Sequence, residues 1–370
     1  MKDAMLLIMT PNMSLEKWDA NGQLTRELSL YKRLCAAANL KLIIFSYGRY
    51  DSGYCKGFQD ITVLTMPTWI PSRWPFRLQN IIYHTVSPWL HRHTFARVRF
   101  VKTNQFDAAW LGLIIKLVHR IPLVIRMGYY HSHFKPVSRW RKLSERISFK
   151  LCDKIIVTST QASAFIINKY RLQAEKVLCI PNGIDTELFK PIAIHHKYDI
   201  IFVGRLEPTK NIELLLNIIK STKLKALIIG SGSLESQIKT FVEKDKLTWR
   251  PRIANNKLPL AYNQARIFVL LSKYEGNPKS LLEAMACGLP CIGTNVHGIR
   301  DCIINHHNGV LVEENSEDIA TAITEILTNP KAAKHMGVRA REMVIANCDQ
   351  QKNLARELTL YQDLLPSEVI

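Results

Sequence analysis

Two stretches of this 370-residue chain set charged side chains at spacings suited to chemistry. The first is "SKYEGNPKSLLEAMACGLPCIG", residues 272–293, where Glu275 and Glu283 stand eight positions apart across a change from polar loop to helical pattern. Pro278 suits the first turn of a helix, because the N–H it lacks would have no intrahelical partner there. The helix that starts here turns free backbone N–H groups, near Lys279 and Ser280, outward, and such an end favours an anionic or hydroxyl-rich ligand. Glu275 then lies on the loop just ahead of the helix. Glu283 lies one to two turns inside it, where a carboxylate can accept hydrogen bonds from vicinal hydroxyls such as a ribose diol. The plainer alternative is a loop charge and a helix-surface charge. The second stretch is "FVGRLEPTKNIELLL", residues 202–216. A strand ends at Gly204, Arg205 and Lys210 follow, and a helix begins with Thr209 or Asn211 as its cap. Two cations on one strand-to-helix turn suit a diphosphate, with a planar fork from Arg and a point charge from Lys. Solvated surface cations are the alternative here.

Each stretch needs a strand before it and a helix after it. Apolar, β-rich runs at 4–10, 41–47, 61–66, 106–112, 121–127, 153–159 and 176–180 read as strands in the first half. Helical periodicity fills gaps, as in 23–38, where Leu24, Leu28, Tyr31, Leu34 and Cys35 share a face. "PNGID" (181–185) is a turn signal, and a polar, Pro-containing linker follows it. The pattern restarts with strands expected at 198–206, 225–232, 265–272, 290–295 and 309–314, and helices near 211–221, 233–245, 316–328, 331–346 and 349–364. Continuous apolar strands separated by helices predict parallel sheets covered on both faces. The expected class is α/β, with two Rossmann-like doubly wound parallel-sheet domains facing a central cleft at the carboxyl ends of their strands. A chain of 370 residues fits two cores better than one.

In order, spacing and length, these segments resemble the GT-B glycosyltransferases of family 4, the retaining group 1 glycosyl transferases. "GRLEPTK" and "EGNPKSLLEAMACGLPCIGTNVHGIRDCI" match that family's two best motifs, and "PNGID" matches its interdomain segment. The resemblance implies a GT-B architecture. Residues 1–185 would bind the acceptor, 186–348 the nucleotide sugar, and 349–370 would form a helix crossing back to the first domain. Arg205 and Lys210, after Gly204, would bind the diphosphate, and Glu283 the nucleotide ribose. Glu275, Gly276, Asn277 and Pro278, with Lys279 and Ser280, would hold the donor sugar and its phosphate. Arg252, in "TWRPRI" (248–253), falls where the family grips the base of a UDP- or GDP-linked donor. Catalysis without a metal or other cofactor is expected, since preorganised cations and helix N–H groups can stabilise a diphosphate leaving group. No D-x-D clamp occurs in the chain. Two departures stand out. The Gly-Gly loop after the first strand is reduced to Gly22, and the usual His after the fifth strand is replaced by Met127 or Gly128. Arg126 is the nearby substitute for contacting the diphosphate, and His131 for the sugar.

The formal charge is +19, and residues 1–190 hold 28 Lys+Arg against 12 Asp+Glu. Charge of this kind speaks to partners rather than to fold. Residues 68–102 interleave Trp69, Trp74, Phe76, Trp89 and Phe95 with Arg73, Arg77, Arg92, Arg97, Arg99 and Lys102. Residues 134–150 add Arg139, Trp140, Arg141, Lys142, Arg146 and Lys150. Rings and cations in this mixture suit an anionic membrane surface, although part of the aromatic set can equally be core. The expected protein is cytoplasmic, peripheral on the inner membrane face, with a lipid-linked or polysaccharide acceptor. Nucleic acid is an unlikely partner, since no recognised binding module occurs. The start carries no signal-peptide pattern. The longest apolar run, 108–118, is too short to span a bilayer. The eight cysteines are scattered, without C-x-x-C or zinc spacing, and read as reduced thiols. Other readings that share the fold are a catalytically silent sugar-nucleotide-binding partner subunit and a sugar-nucleotide epimerase. A Rossmann oxidoreductase is disfavoured, because no G-x-G-x-x-G follows the first strand.

Overall fold

The computed structural model describes residues 3–56, 60–128, 138–242 and 246–364. The chain folds as two compact units. One runs to Ile180 and takes up the chain again from Leu354, and the other is Pro181–Asn353. The boundary expected at 185/186 thus lies a few residues inside the second unit.

The strands of the first unit are β1 (Ala4–Ile8), β2 (Lys41–Phe45), β3 (Ile61–Leu64), β4 (Val98–Thr103), β5 (Leu123–Met127), β6 (Lys154–Val157) and β7 (Val177–Cys179). They form a parallel sheet in the order β3-β2-β1-β4-β5-β6-β7. The central strands are buried on both sides, which is why β1 reads as an unbroken apolar run. One strand expectation fails. Residues 106–112 are not a strand but a 3-10 turn, Phe106–Ala108, leading into the helix Ala109–His119. Trp110, Leu117 and Val118 make the exposed side of this helix apolar as well as its buried side, which masks its period. The fourth strand is Val98–Thr103, taken above as interfacial because of Arg99 and Lys102. Lys102 and Phe95 are buried, so neither faces a membrane, and Arg97, half exposed, pairs with Asp3.

Buried Lys102 pairs with Glu357 on the helix Gln350–Gln362. Tyr361 donates its hydroxyl to the same carboxylate and stacks on Phe100, with ring centroids 4.2 Å apart. The terminal helix therefore joins the first core through an ion pair and a ring stack. Burial alone would raise the Glu357 pKa, but Lys102 and Arg126 more than offset it and hold the carboxyl below its ordinary range.

The strands of the second unit are β8 (Tyr198–Val203), β9 (Ala226–Ile229), β10 (Leu247–Arg250), β11 (Ala265–Leu270), β12 (Cys291–Thr294) and β13 (Val310–Val312). Their order is β10-β9-β8-β11-β12-β13, again parallel. β10 occupies the start of the segment read above only as a base-gripping stretch. In this sheet the order in which strands are added reverses between β8 and β11. Doubly wound sheets bind ligands at that point, beyond the carboxyl ends of the two strands.

Candidate active site

The two motifs singled out in the sequence are the two loops at this switch point. One leaves β8 as residues 204–211, and the other leaves β11 as residues 271–278. Strand pairing between β8 and β11 brings them side by side. The Lys273 N–H donates to the Thr209 carbonyl at 2.9 Å. The Lys210 ammonium forms an ion pair with Glu275 Oε1, and the Ser272 hydroxyl donates to the same oxygen at 2.7 Å. Glu275 is buried and Lys210 nearly so. This pair is thus largely removed from water, and its Coulomb attraction exceeds that of a surface pair. Arg205 is exposed at the mouth of the first loop and makes no ion pair among the described residues. Asn211 adopts the left-handed conformation, φ 54°, at the start of the helix Ile212–Ser221. The cap expected from Asn211 or Thr209 is not made by either side chain, and Asn211 Nδ2 instead donates to Glu314 at 2.9 Å.

The helix Lys279–Ala286 begins after Pro278, and no side chain caps it. The N–H groups of its first turn, in the stretch of Lys279 and Ser280, have no intrahelical carbonyl to bond. Asn277 anchors the loop below: its Oδ1 accepts from the Asn182 N–H, and its carbonyl accepts from Asn182 Nδ2, both at 2.7 Å. Glu283 is not a helix-surface charge. It is buried and accepts from the Tyr262 hydroxyl at 2.9 Å. Burial, together with the Glu283 charge, raises the Tyr262 phenol well above its ordinary pKa, so it stays a donor.

Three glycines hold the loops in place. Gly230 (φ 149°) packs so closely that a Cβ would fall inside contact distance of the Gly204 carbonyl oxygen, and Gly232 lies likewise against the Leu206 carbonyl. The Leu206 N–H donates to the Ser231 carbonyl at 2.9 Å. Gly298 packs in the same way on the Glu275 and Gly276 carbonyls. The loop after β9 therefore supports the loop after β8, and the helix His297–Arg300 supports the loop after β11. The "GSG" at 230–232 carried only a weak signal for this, a glycine pair directly after a strand. Tyr262 and Asn182 carried none, because each acts through a partner far away in sequence, whereas Ser272 stands only three residues before Glu275, inside the quoted stretch, and was not singled out.

The sequence-derived set divides clearly. Gly204, Lys210, Glu275, Gly276, Asn277, Pro278, Lys279 and Ser280 meet at the switch point. Glu283 lies buried in the same helix. Arg252 is exposed just beyond β10 at the edge of the same sheet. Gly22 and Arg126 belong to the first unit. Gly22, φ 68°, is an exposed turn between the helices Leu15–Ala20 and Leu24–Ala37, which explains a glycine there without a ligand. Arg126 is part-buried on β5, its N–H donating to Thr103 Oγ1 at 3.1 Å, and its charge acts on Glu357. His131 lies outside the described residues.

Comparison with known proteins agrees with this geometry. Two family models match adjoining parts of the chain: "Glycosyltransferase Family 4" over residues 28–188 and "Glycosyl transferases group 1" over 184–343. An Escherichia coli UDP-Gal:alpha-D-GlcNAc-diphosphoundecaprenol alpha-1,3-galactosyltransferase is 26% identical over 297 residues, covering 72% of this chain and 75% of that protein. Sucrose-phosphate synthase from Thermosynechococcus elongatus superposes with a TM-score of 0.80 at 21% identity, over 98% of this chain and 99% of that one. HepE from Anabaena, in complex with UDP and glucose, superposes with a TM-score of 0.73 at 16% identity, over 97% and 100%. The two folds are those of GT-B enzymes, and the chain is a glycosyltransferase belonging to family 4, the glycosyl transferases group 1.

Proposed function

We propose that this protein is a retaining, metal-independent glycosyltransferase. It moves a hexosyl group from a UDP- or GDP-linked sugar to a lipid-linked or polysaccharide acceptor at the cytoplasmic membrane face. The observation that carries the reading is the Lys210–Glu275 pair, with Ser272 donating to the same carboxylate oxygen, at the switch point of the second sheet. Lys210 and Arg205 would take the charge of the departing nucleoside diphosphate, together with the N-terminal end of the helix Lys279–Ala286. The arriving diphosphate competes for the Lys210 ammonium, which frees the Glu275 carboxylate to accept from sugar hydroxyls. The bond from the anomeric carbon to the phosphate oxygen breaks, and the acceptor oxygen bonds to that carbon on the same face. The acceptor proton passes to the leaving phosphate. Glu283, oriented by Tyr262, would receive the ribose diol. The E. coli relative's name supports a nucleotide-sugar donor and a diphosphoundecaprenol-linked acceptor, and the HepE complex with UDP and glucose supports the donor class. Among the described residues no helix is long and apolar enough to cross a membrane, so contact with a lipid-borne acceptor would be made from the surface.

The test is transfer or hydrolysis across a panel of nucleotide sugars, with product anomers identified by NMR and chelator present throughout. Retention with at least one donor is expected, and Glu275→Ala should lower kcat by on the order of 100-fold or more. Full activity in Glu275→Ala, or an inverted product, would overturn the reading.

A further inference from the structure

We propose that one helix layer of the first unit is a docking surface for an anionic bilayer, and that its edge holds a pocket for lipid phosphate headgroups. The proposal deepens the membrane-carried acceptor above and draws its biological meaning from that reading. Its evidence is independent of the donor site. The helices Phe76–Leu90, Ala109–His119 and Arg139–Leu151 follow β3, β4 and β5, and neighbours pack side by side. Right-handed crossovers in one direction along the sheet place all three on the same face.

Their outer sides are not those of ordinary surface helices. On the first, Leu78, Ile81 and Trp89 are exposed at helical spacing; on the second, Trp110 and Leu117; on the third, Trp140 and Leu143. Trp140 is 80% exposed, Trp89 63% and Leu117 64%. Exposed large apolar side chains in the second unit are single and scattered, at Ile192, Leu260, Ile304 and Val338. Large apolar side chains left exposed on three neighbouring helices mark an interaction site. Each helix contributes one exposed tryptophan, a side chain that settles at the level of lipid headgroups.

Charge selects the occupant. Where the third helix meets the next one, Thr160–Tyr170, a cavity of about 690 Å³ is lined by Lys142, Arg146, Lys150, Lys169 and Arg171. The nearby acids are already engaged: Asp107 and Glu145 with Arg141, and Asp153 with Lys116. Lys142, Arg146, Lys150 and Arg171 make no ion pair among the described residues. Apolar rings beside uncompensated cations complement an anionic bilayer, with hydrocarbon under the rings and phosphate over the cations. A second copy of this chain would bring the same cations together and repel.

The test is flotation of the full chain with phosphatidylcholine vesicles and with vesicles in which phosphatidylglycerol replaces a third of the lipid. Wild type should float with the anionic vesicles only. The triple variant Lys142→Gln, Arg146→Gln, Lys150→Gln should lose affinity by on the order of 100-fold. Trp89→Ser with Trp140→Ser should weaken binding while keeping its salt dependence. Brominated acyl chains should quench wild-type tryptophan fluorescence, a readout that needs no variant. Equal binding to both vesicle types, no quenching, or a triple variant that binds like wild type would overturn the proposal. So would a dimer, seen by light scattering, that the tryptophan changes dissociate. Calorimetric binding of nucleoside diphosphates separates the two readings. Vesicle binding without nucleotide binding leaves the surface standing and removes the donor assignment, and the reverse removes only the surface.

Discussion

Lys210 and Glu275 neutralise one another before any substrate arrives, so each is both held in place and available for exchange. Replacing Lys210 by Ala leaves the Glu275 carboxylate buried with only the Ser272 hydroxyl, and removes a charge-assisted contact to phosphate. A charged hydrogen bond contributes about 1.5–3 kcal/mol, so Lys210→Ala should raise the Kd of a nucleoside diphosphate by about 10- to 100-fold, read by calorimetry. Glu283 makes a different demand. Tyr262→Phe takes away the hydroxyl that orients it, at 2.9 Å, and should raise KM for the donor several-fold with little change in kcat. Both acids were legible from residue type and spacing, as were both cations. What sequence did not reveal was the state of each side chain. Glu283 is buried and tied to Tyr262, and Lys210 is paired, because tertiary neighbours decide both.

Among the elements, parallel strands and their helices were largely legible, because two-sided burial writes continuous apolar runs. The failure was β4. A strand carrying Arg99 and Lys102 does not read as buried, and the apolar helix after it took its place in the expected order. Lys102 is tolerated there only because Glu357 arrives from a helix 255 residues away. Glu357→Gln should therefore cost about 3–5 kcal/mol by stranding a buried ammonium, whereas Lys102→Met with Glu357→Leu should recover most of it; urea unfolding of the two variants reads both. The glycine supports were not legible, because what fixes them is the close approach of a carbonyl from another loop. Gly230→Ala places a methyl group against the Gly204 carbonyl at φ 149°. It should destabilise the second unit by about 2 kcal/mol or more, while Gly53→Ala, with open space around it, should be nearly neutral.

At the scale of the whole molecule, strongly basic composition and two α/β units set the conditions under which the enzyme persists. His84, beneath Tyr47 and hydrogen-bonded to it at 2.7 Å, has its imidazole pushed down to about 4 by burial. Between about pH 4 and 6.5 the unfolded chain binds this proton and the native chain does not, so stability rises with pH across that window and falls on acidification. The loss reaches up to about 3 kcal/mol below it. Urea midpoints at pH 7 and pH 4.5 should differ less in His84→Gln than in wild type. The central proposal is that, in the second unit, the two loops after β8 and β11 together bind a diphosphate. Calorimetric titration of UDP and GDP into wild type, Arg205→Ala, Lys210→Ala and Glu283→Gln tests it most directly. One of the two nucleotides should bind wild type, and each substitution should weaken that binding at least tenfold. Nucleotide affinity unchanged in all three variants would contradict it.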